Sequence, residues 1–309
     1  MLWIKHSKLK EIIMMSKVWL ITGSSRGLGL EIAKAVLNNG DKVVATARRP
    51  EQLNSLVQKY GDQVRTAELD VTNAASAKAA VQLALDEFGS LDVIVNNAGY
   101  ANSSPIEETP DEDFRAQIEA NLFGVINVTK AALPVLRKQR SGHFIQISSV
   151  GGRVGGTPGL AAYQAAKFAV AGFSEVLHNE VKPLGIKVTI VEPGAFRTDW
   201  GGSSMSIPPV GEDYEQTVGA MNRYRISVNG KENGDPVRAA GIIAGLAWLE
   251  EPPLRLLLGP EAVALARAAS EARAEEMEKW ADISISTNYE GLSERVDNPV
   301  LQQIKNPAL

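Results

Sequence analysis

A tyrosine, a lysine and a serine occur at a spacing that could support proton transfer. Tyr163 and Lys167 are four residues apart, so on a helix, which repeats about every 3.6 residues, they would project from the same face. A neighbouring ammonium should lower the pKa of Tyr163 from its usual value of about 10. A hydroxyl from Ser149 could then help to move a proton on or off a carbonyl oxygen. Such a Tyr–Lys pair also arises by chance, so its meaning depends on the elements that position it.

Short apolar runs alternate with helical patterns along the chain. Strands are predicted at residues 17–22, 42–47, 64–69, 91–96, 142–148, 186–191 and 254–259. Helices are predicted at residues 28–39, 50–60, 76–88, 111–140, 159–182 and 261–280. This alternation predicts an α/β fold, a doubly wound, Rossmann-like parallel sheet of about seven strands with helices on both faces.

The sequence predicts one domain with two appendages. Residues 16–260 form the Rossmann-like domain, and residues 261–309 are expected to form a C-terminal helix and polar tail that pack on it. Residues 1–15 carry lysines and a short apolar run, without the core or cleavage pattern of a signal peptide. We expect a poorly ordered extension, from a start codon chosen upstream, with a short surface helix as the alternative.

The composition excludes several classes of function. Apolar residues make up 44% and charged residues 22%, which is ordinary for a globular protein, and the net charge of −4 argues against nucleic acid as a partner. The absence of cysteine rules out thiolate catalysis and disulfides, and the three histidines lack ligand spacing, so no metal site is expected. No apolar run is long enough to span a membrane. The cytoplasm is therefore the expected location.

A glycine-rich turn follows the first predicted strand. It reads Thr-Gly-Ser-Ser-Arg-Gly-Leu-Gly over residues 22–29. Glycines let the backbone turn tightly and approach a pyrophosphate, whose charge is met by the N-terminus of the next helix. The turn thus predicts dinucleotide binding by Gly23, Ser25, Arg26, Gly27, Leu28 and Gly29.

The end of the second strand indicates which dinucleotide is bound. NAD sites usually have an acidic residue there for the ribose hydroxyl, whereas this chain has Arg48 and Arg49. Together with Arg26, these guanidinium groups could bind a phosphate dianion bidentately, which favours NADP. The alternative is that the two arginines merely end a strand in solvent.

The order of these motifs resembles that of the short-chain dehydrogenase/reductase family over residues 17–259, about four fifths of the chain. The resemblance rests on the glycine turn, Asp70, Val71, Asn96, Asn97, Ala98, Gly99, Asn121, Ser149, Tyr163, Lys167, Pro193, Gly194 and Thr198. It implies an NADP-preferring enzyme that acts on CH–OH or C=O groups and assembles as a homodimer or homotetramer.

The resemblance assigns four catalytic residues. Tyr163 would be the general acid in reduction, or the base in oxidation, and Lys167 would lower its pKa and bind the nicotinamide ribose. Ser149 would hold the substrate oxygen. Asn121 would interrupt its helix and hold a water that connects Lys167 to solvent.

The resemblance also assigns further contacts with the cofactor. Asp70 and Val71 would contact adenine, and residues 97–99 (Asn97, Ala98 and Gly99) would border the adenosine ribose. Pro193, Gly194 and Thr198 would surround the nicotinamide carboxamide.

Ser149 lies fourteen residues before Tyr163, one more than is common in the family. The extra residue is expected in the glycine-rich loop of residues 151–158, which could absorb it without moving either end. Ser148 is the alternative catalytic serine, but side chains alternate along a strand, so Ser148 should face the opposite side.

The sequence leaves the substrate and the reaction direction open. Residues 199–228 contain several aromatic and apolar side chains, which would either line a pocket for a bulky hydrophobic ketone or alcohol or pack a mobile lid against the sheet. Three functions are compatible with the motifs. The first is an NADPH-dependent carbonyl reductase. The others are an alcohol dehydrogenase that works mainly in oxidation and a non-catalytic NADP-sensing protein.

Overall fold

The computed structural model describes residues 16–202, 204–289 and 298–305. The predicted N-terminal extension, residues 1–15, and part of the predicted tail lie outside the described residues. The described residues divide into two compact units between Leu265 and Ala266, a boundary within one helix. The site described below belongs entirely to the first unit.

Within the described residues, the first unit is built on one parallel sheet of seven strands in the order β3-β2-β1-β4-β5-β6-β7. The strands are β1 (Val18–Ile21), β2 (Lys42–Ala47), β3 (Val64–Glu68), β4 (Val93–Asn96), β5 (Gly142–Ile147), β6 (Ile186–Pro193) and β7 (Arg255–Leu258). Each overlaps a predicted strand. The predicted α/β fold, a doubly wound Rossmann-like sheet, is therefore confirmed.

Helices connect the strands and continue after β7. They are α1 (Gly27–Asn38), α2 (Asn54–Tyr60), α3 (Ala74–Phe88), α4 (Asp111–Ile118), α5 (Gly124–Gln139), α6 (Ala161–Val181), α7 (Ala220–Val228), α8 (Pro236–Leu246), α9 (Pro260–Lys279), α10 (Ala281–Ile285) and α11 (Pro299–Lys305). The predicted helix over residues 111–140 is divided into α4 and α5 by a π-helical turn, Glu119–Phe123. The sequence indicates no regular structure for the region of α10 and α11, so these two short helices differ from the expected polar tail.

Two apolar layers hold the sheet, one on each face. In β1, Trp19 and Ile21 pack with α1 and α8, whereas Val18 and Leu20 pack with α3, α5 and α6. Alternate side chains of a strand point to opposite faces, so a strand between two helical layers is apolar throughout. This is why the strand signals in the sequence are continuous apolar runs.

The sheet order brings the ends of several strands to one place. Because β1 lies between β2 and β4, and β5 lies beside β4, the loops that follow these four strands leave the same edge of the sheet. The chain order reverses next to β1, where α/β sheets bind ligands. Most predicted cofactor residues follow these strands, β3 or β6, whereas Asn121, Tyr163 and Lys167 lie on helical segments.

Candidate active site

Tyr163 and Lys167 lie one turn apart on α6, and both are almost completely buried, at 7% and 4% exposure. The Lys167 ammonium donates a hydrogen bond to the carbonyl of Ile147, the last residue of β5, at 2.8 Å. Its Nζ lies 5.6 Å from the centre of the Tyr163 ring. The helix and the strand end thus hold the phenol and the ammonium side by side, as their spacing predicts.

The two candidate serines face different surroundings. The Ser149 hydroxyl lies near the Tyr163 phenol, whose pKa it lowers, and accepts a hydrogen bond from the backbone N–H of Gly151 at 3.0 Å. Ser148 is buried, and its hydroxyl donates to the backbone carbonyl of Lys167 at 3.1 Å. The structure therefore brings Ser149 to the phenol and turns Ser148 away from it. The catalytic role of Ser149 remains a proposal.

The glycine-rich loop between Ser149 and Tyr163 contains two consecutive glycines with positive φ angles. Gly155 and Gly156 have φ angles of +73° and +77°, a region that favours glycine. Gln164 fastens the loop, because its side-chain amide both donates to the hydroxyl and accepts from the N–H of Thr157.

The pKa of Tyr163 moves in the direction opposite to the sequence prediction. Burial raises the pKa of Tyr163 to about 12, and the nearby Ser149 hydroxyl opposes this rise. Burial also lowers the pKa of Lys167 to about 8. The predicted fall in the pKa of Tyr163 is therefore wrong for the protein alone, since burial removes the solvent that would stabilise the phenolate.

Asn121 lies fully buried in the π-helical turn between α4 and α5. Its amide nitrogen donates to the carbonyls of Tyr100 and Gln117, each at 2.8 Å, and its Oδ1 has no hydrogen-bond partner among the described residues. A side chain on Gly99 would collide with that oxygen. The expected interruption of the helix is present, and such turns often occur at functional sites. The water link to Lys167 stays a prediction.

The glycine turn opens α1 in a way that suits an anion. Gly23 and Gly27 have φ angles of +69° and +56°, and α1 begins at Gly27. Arg26 precedes the helix without a side-chain cap, and no acidic residue occupies its first turn. The N–H groups and the positive end of the helix dipole therefore meet no negative side chain, which fits a pyrophosphate. Ser25 and Leu28 are partly buried in the same turn.

Polar contacts join the glycine turn to the end of β4. The Asn97 amide donates to the carbonyls of Thr22 and Gly23 at 2.9 and 3.2 Å. In return, Thr22 Oγ1 accepts hydrogen bonds from the N–H groups of Asn97 and Ala98, both at 2.9 Å. Asn97 was expected to border the adenosine ribose, but its side chain supports the turn. Thr22 was not among the predicted site residues, although a polar residue that ends an apolar strand was a signal for it.

Three exposed arginines lie at the end of β2 and in the glycine turn. Within the described residues, the guanidinium groups of Arg26, Arg48 and Arg49 form no hydrogen bond or ion pair. The turn and the strand end are joined directly, because the Ser24 N–H donates to the Thr46 carbonyl at 2.8 Å. The glycine turn and the end of β2 therefore carry three guanidinium groups that have no carboxylate partner among the described residues. Such groups can bind a phosphate.

The remaining predicted cofactor contacts come from loops after β3 and β6. Asp70 is exposed and accepts two hydrogen bonds from Thr72, while the Val71 carbonyl accepts one from Asn127 on α5. These loops follow strands of the same sheet, but no structural observation assigns either residue to adenine.

The loop after β6 reaches the glycine turn. The Gly194 N–H bonds the Leu258 carbonyl at 2.9 Å, next to Pro193 at the end of the strand. Thr198 lies against Gly27, since a Cβ on that glycine would be 3.6 Å from the Thr198 Cβ. One of the predicted nicotinamide contacts, Thr198, thus lies against the predicted pyrophosphate turn.

The segment after Thr198 covers the phenol. The ring centres of Trp200 and Tyr163 are 5.2 Å apart at an angle of 56°. Met205 is buried with Tyr163, Leu160 and Ala101 in a small apolar cluster. The apolar side chains of this segment therefore pack against Tyr163, and both the substrate pocket and the mobile lid stay predictions.

Two classes of site are not found in the described part of the chain. No group of three or more His, Cys, Asp or Glu side chains there could hold a metal ion. No helix there is both long and apolar enough to cross a bilayer.

Comparisons with known proteins place this site in a family. The family model for short chain dehydrogenase matches residues 17–206. The oxidoreductase BOA17 of Botryotinia fuckeliana is 53% identical over 274 residues, which cover 88% of this chain and all of the relative.

Solved structures agree. A short-chain dehydrogenase from Streptomyces avermitilis has a TM-score of 0.82 and 38% identity, covering 89% of this chain and 99% of that one. An alcohol dehydrogenase from Thermococcus sibiricus, complexed with 5-hydroxy-NADP, has a TM-score of 0.65 and 29% identity, covering 79% and 96%.

The fold and the matches define an oxidoreductase that acts on CH–OH or C=O groups of small molecules. The chain belongs to the short-chain dehydrogenase/reductase family.

Proposed function

We propose that this protein is an NADPH-dependent carbonyl reductase that transfers a hydride to a ketone or aldehyde, with Tyr163 as the proton donor. The observation that carries the proposal is the arrangement of Ser149, Tyr163 and Lys167. The Ser149 hydroxyl lies close enough to the phenol to influence its pKa, and the ammonium lies beside the phenol at the end of β5. A substrate carbonyl oxygen that accepts from both hydroxyls would be held for protonation.

The reductive direction is supported by the state of the phenol. Because burial raises the pKa of Tyr163 to about 12, the side chain carries its proton at neutral pH, which is the form a proton donor needs. The raised pKa also makes the phenol a weak acid, so donation needs Lys167 to stabilise the phenolate. Oxidation of a hydrophobic secondary alcohol would use the same residues with the phenolate as base and is the alternative. Non-catalytic NADP sensing is the distant alternative, since it would need no catalytic hydroxyl pair.

Each residue has one task in the proposed reaction. NADPH, when bound, supplies a hydride to the carbonyl carbon. Tyr163 gives its proton to the carbonyl oxygen, and Ser149 keeps that oxygen in place. Lys167 stabilises the phenolate that results, because a positive charge favours the ionised phenol. Asn121 lies beside Gly99, and its buried Oδ1 has no hydrogen-bond partner among the described residues. This oxygen could bind a water on the path that returns a proton to Tyr163.

NADP is preferred over NAD in this proposal. The three arginines (Arg26, Arg48 and Arg49) have no carboxylate partner, and their guanidinium groups can bind the 2′-phosphate that distinguishes NADP. The complex of the Thermococcus sibiricus enzyme with 5-hydroxy-NADP supports the same choice. Asp70, Val71, Asn97, Ala98, Gly99, Pro193, Gly194 and Thr198 are retained as proposed cofactor contacts.

The proposed substrate is a hydrophobic ketone. Trp200 is 36% exposed and lies against Tyr163, beside the cluster that contains Met205. An aromatic wall next to the proton donor suits an aryl or other bulky apolar group. A homodimer or homotetramer and a cytoplasmic location stay predictions.

Tyr163→Phe tests the reaction. It removes only the hydroxyl from a buried ring, so the variant should bind NADPH as the wild type does while losing about 100-fold or more of turnover on a panel of ketones. NADPH absorbance measures turnover, and quenching of protein fluorescence measures binding. Turnover that survives the substitution would refute the assignment of the proton donor.

Arg48→Ala tests the choice of cofactor. Loss of a charge-assisted contact should weaken NADPH about tenfold or more and leave NADH nearly unchanged. Arg65→Ala is the matched control. This arginine lies near the N-terminal end of β3, away from the proposed phosphate site, and is paired with Glu87. Equal weakening of both cofactors by Arg48→Ala would contradict the phosphate role.

A further inference from the structure

A polar cluster joins three segments of the chain and consists of the buried Ser103 and Asn222 and the partly buried Arg225. Arg225, on α7, donates to the Ser103 hydroxyl and to Asn222 Oδ1, each at 2.8 Å, and to the Pro158 carbonyl at 2.7 Å. The Ser103 hydroxyl donates to Asn222 Oδ1 at 2.6 Å. One guanidinium group therefore connects the loop after β4, the glycine-rich loop before α6 and the segment that contains α7.

This cluster lies next to the proposed substrate-binding wall, by which we mean the apolar side chains of Ala101, Leu160 and Met205 that pack with Tyr163. Ser103 follows Ala101 by two residues, Pro158 precedes Leu160 by two, and both Ala101 and Leu160 pack with Tyr163. The backbone N–H of Ser103 also bonds the Ser206 carbonyl at 2.9 Å, next to Met205 of the same apolar cluster. If the guanidinium moved, Ser103 and Pro158 would move with it. Each is only two residues along the chain from a side chain that packs with Tyr163.

The charge of Arg225 is not explained by ion pairing. No carboxylate lies within ion-pair distance of it among the described residues, and the three acceptors of its hydrogen bonds are all neutral. Burial lowers its pKa to about 10, so it still carries its charge at neutral pH. A partly buried cation costs solvation, and an apolar residue would fill the same space at less cost. What an apolar residue lacks is a rigid fork of donors that reaches three separate acceptors.

Space around the cluster is restricted as well. Gly159 has a φ angle of +85°, and a Cβ there would collide with the Ser103 hydroxyl and approach Arg225 Nη1 to 3.4 Å. The loop before α6 therefore passes close to the guanidinium, and its path depends on the position of that group.

We propose that Arg225 is a positioning residue that sets the distance between the substrate-binding wall and the catalytic hydroxyls of Ser149 and Tyr163. It acts through the three segments it joins and does not touch the reacting atoms. The expected effect of Arg225 on kinetics rests on the proposed reductase function. Its expected effect on the rigidity of the three segments rests on the hydrogen-bonded cluster alone.

Three variants and a control test the proposal. Arg225→Met keeps much of the apolar stem and removes every donor, Arg225→Lys keeps the charge but not the fork, and Ser103→Ala removes one acceptor with little change in volume. Arg223→Met is the control, since this arginine is two residues earlier on α7, is 62% exposed and pairs only with Glu215 among the described residues.

Steady-state kinetics with a ketone and NADPH give the first readout. Misplacement of the wall should lower kcat/KM for the ketone about 10- to 100-fold in Arg225→Met, through both a lower kcat and a higher KM. The dissociation constant for NADPH should stay within about twofold, because the glycine turn and the β2 arginines are on other segments. Arg225→Lys should recover part of the loss, and the control should match the wild type. If Arg225→Met stays folded with unchanged kcat and KM, the proposal is overturned.

Amide hydrogen exchange gives a readout independent of activity. Faster exchange at Ser103 and in the loop before α6 is expected in Arg225→Met and, more weakly, in Ser103→Ala, but not in the control. Exchange that is unchanged at these amides would overturn the proposal even if the wild type turned over no ketone. If the wild type reduced no carbonyl, the proposed function would be refuted. The amide exchange of the variants would then decide the role of Arg225.

Discussion

Gly29→Ala measures how tightly the proposed cofactor turn is built into the sheet. A Cβ on Gly29 would overlap the Gly23 carbonyl and the Asn97 amide, and both are fixed by hydrogen bonds between the turn and β4. Ordinary Cβ contacts begin at 3.4 Å, so the backbone would have to move by about 1 Å. The first N–H groups of α1, which we propose bind the pyrophosphate, would move with it.

The expected cost follows from three contributions. Overpacking costs about 1–3 kcal/mol, and a weakened Asn97 hydrogen bond costs about 1 kcal/mol more. The better helix propensity of alanine returns about 1 kcal/mol. The free energy of unfolding of Gly29→Ala should therefore fall by about 2 kcal/mol, and its affinity for NADPH should fall about tenfold or more.

Gly241→Ala is the matched control for this prediction. Gly241 is an exposed residue of α8 with no atom within 4 Å of a Cβ placed on it. Alanine there should raise the free energy of unfolding by up to about 1 kcal/mol and leave NADPH binding unchanged. Urea unfolding and fluorescence titration measure both quantities. If Gly29→Ala were as stable as Gly241→Ala and bound NADPH equally well, the packing argument would be wrong.

Three further predictions concern other buried groups. Glu192 is fully buried between two arginines, so Glu192→Gln should lower the free energy of unfolding by about 3 kcal/mol in urea titrations, whereas Glu175→Gln, at a more exposed pair, should cost under about 1 kcal/mol. Burial lowers the pKa of His143 to about 3 from 6.5, and the unfolded chain therefore binds this proton first. Stability should fall as pH drops below 6.5, by about 1.4 kcal/mol per unit from this group, and His143→Gln should remove that part of the slope measured at pH 7 and pH 5. Ser149→Ala should lower ketone turnover at least about tenfold, while Ser148→Ala should affect the unfolding free energy more than turnover; the reverse pattern would exchange their roles.

Much of the scaffold could be predicted from local sequence. Strands buried on both faces give continuous apolar runs, which is why β2 matches its prediction at both ends. The alternation of side chains along β5 and its continuation is enough to place Ser148 and Ser149 on opposite sides. Tyr163 and Lys167 share a helix face because their spacing requires it.

Other features depend on distant partners or on burial, which spacing does not encode. Arg225 meets Pro158 and Ser103 across 67 and 122 positions of the chain, so no local pattern could reveal the cluster. The pKa of Tyr163 was predicted in the wrong direction because the charge of Lys167 is visible in the sequence, whereas the loss of water around the phenol is not. Asn97 likewise supports the glycine turn from another strand.

The opposite orientations of Ser148 and Ser149 determine where this part of the chain can tolerate an insertion or a deletion. Because one residue reverses the direction of every later side chain in a strand, a single insertion within β5 would exchange the two hydroxyls and remove the partner of Tyr163. The same insertion in the loop at Gly155 and Gly156 would leave both strand and helix in place. Length variation among homologous sequences should therefore accumulate in this loop and be excluded from the strand that precedes it.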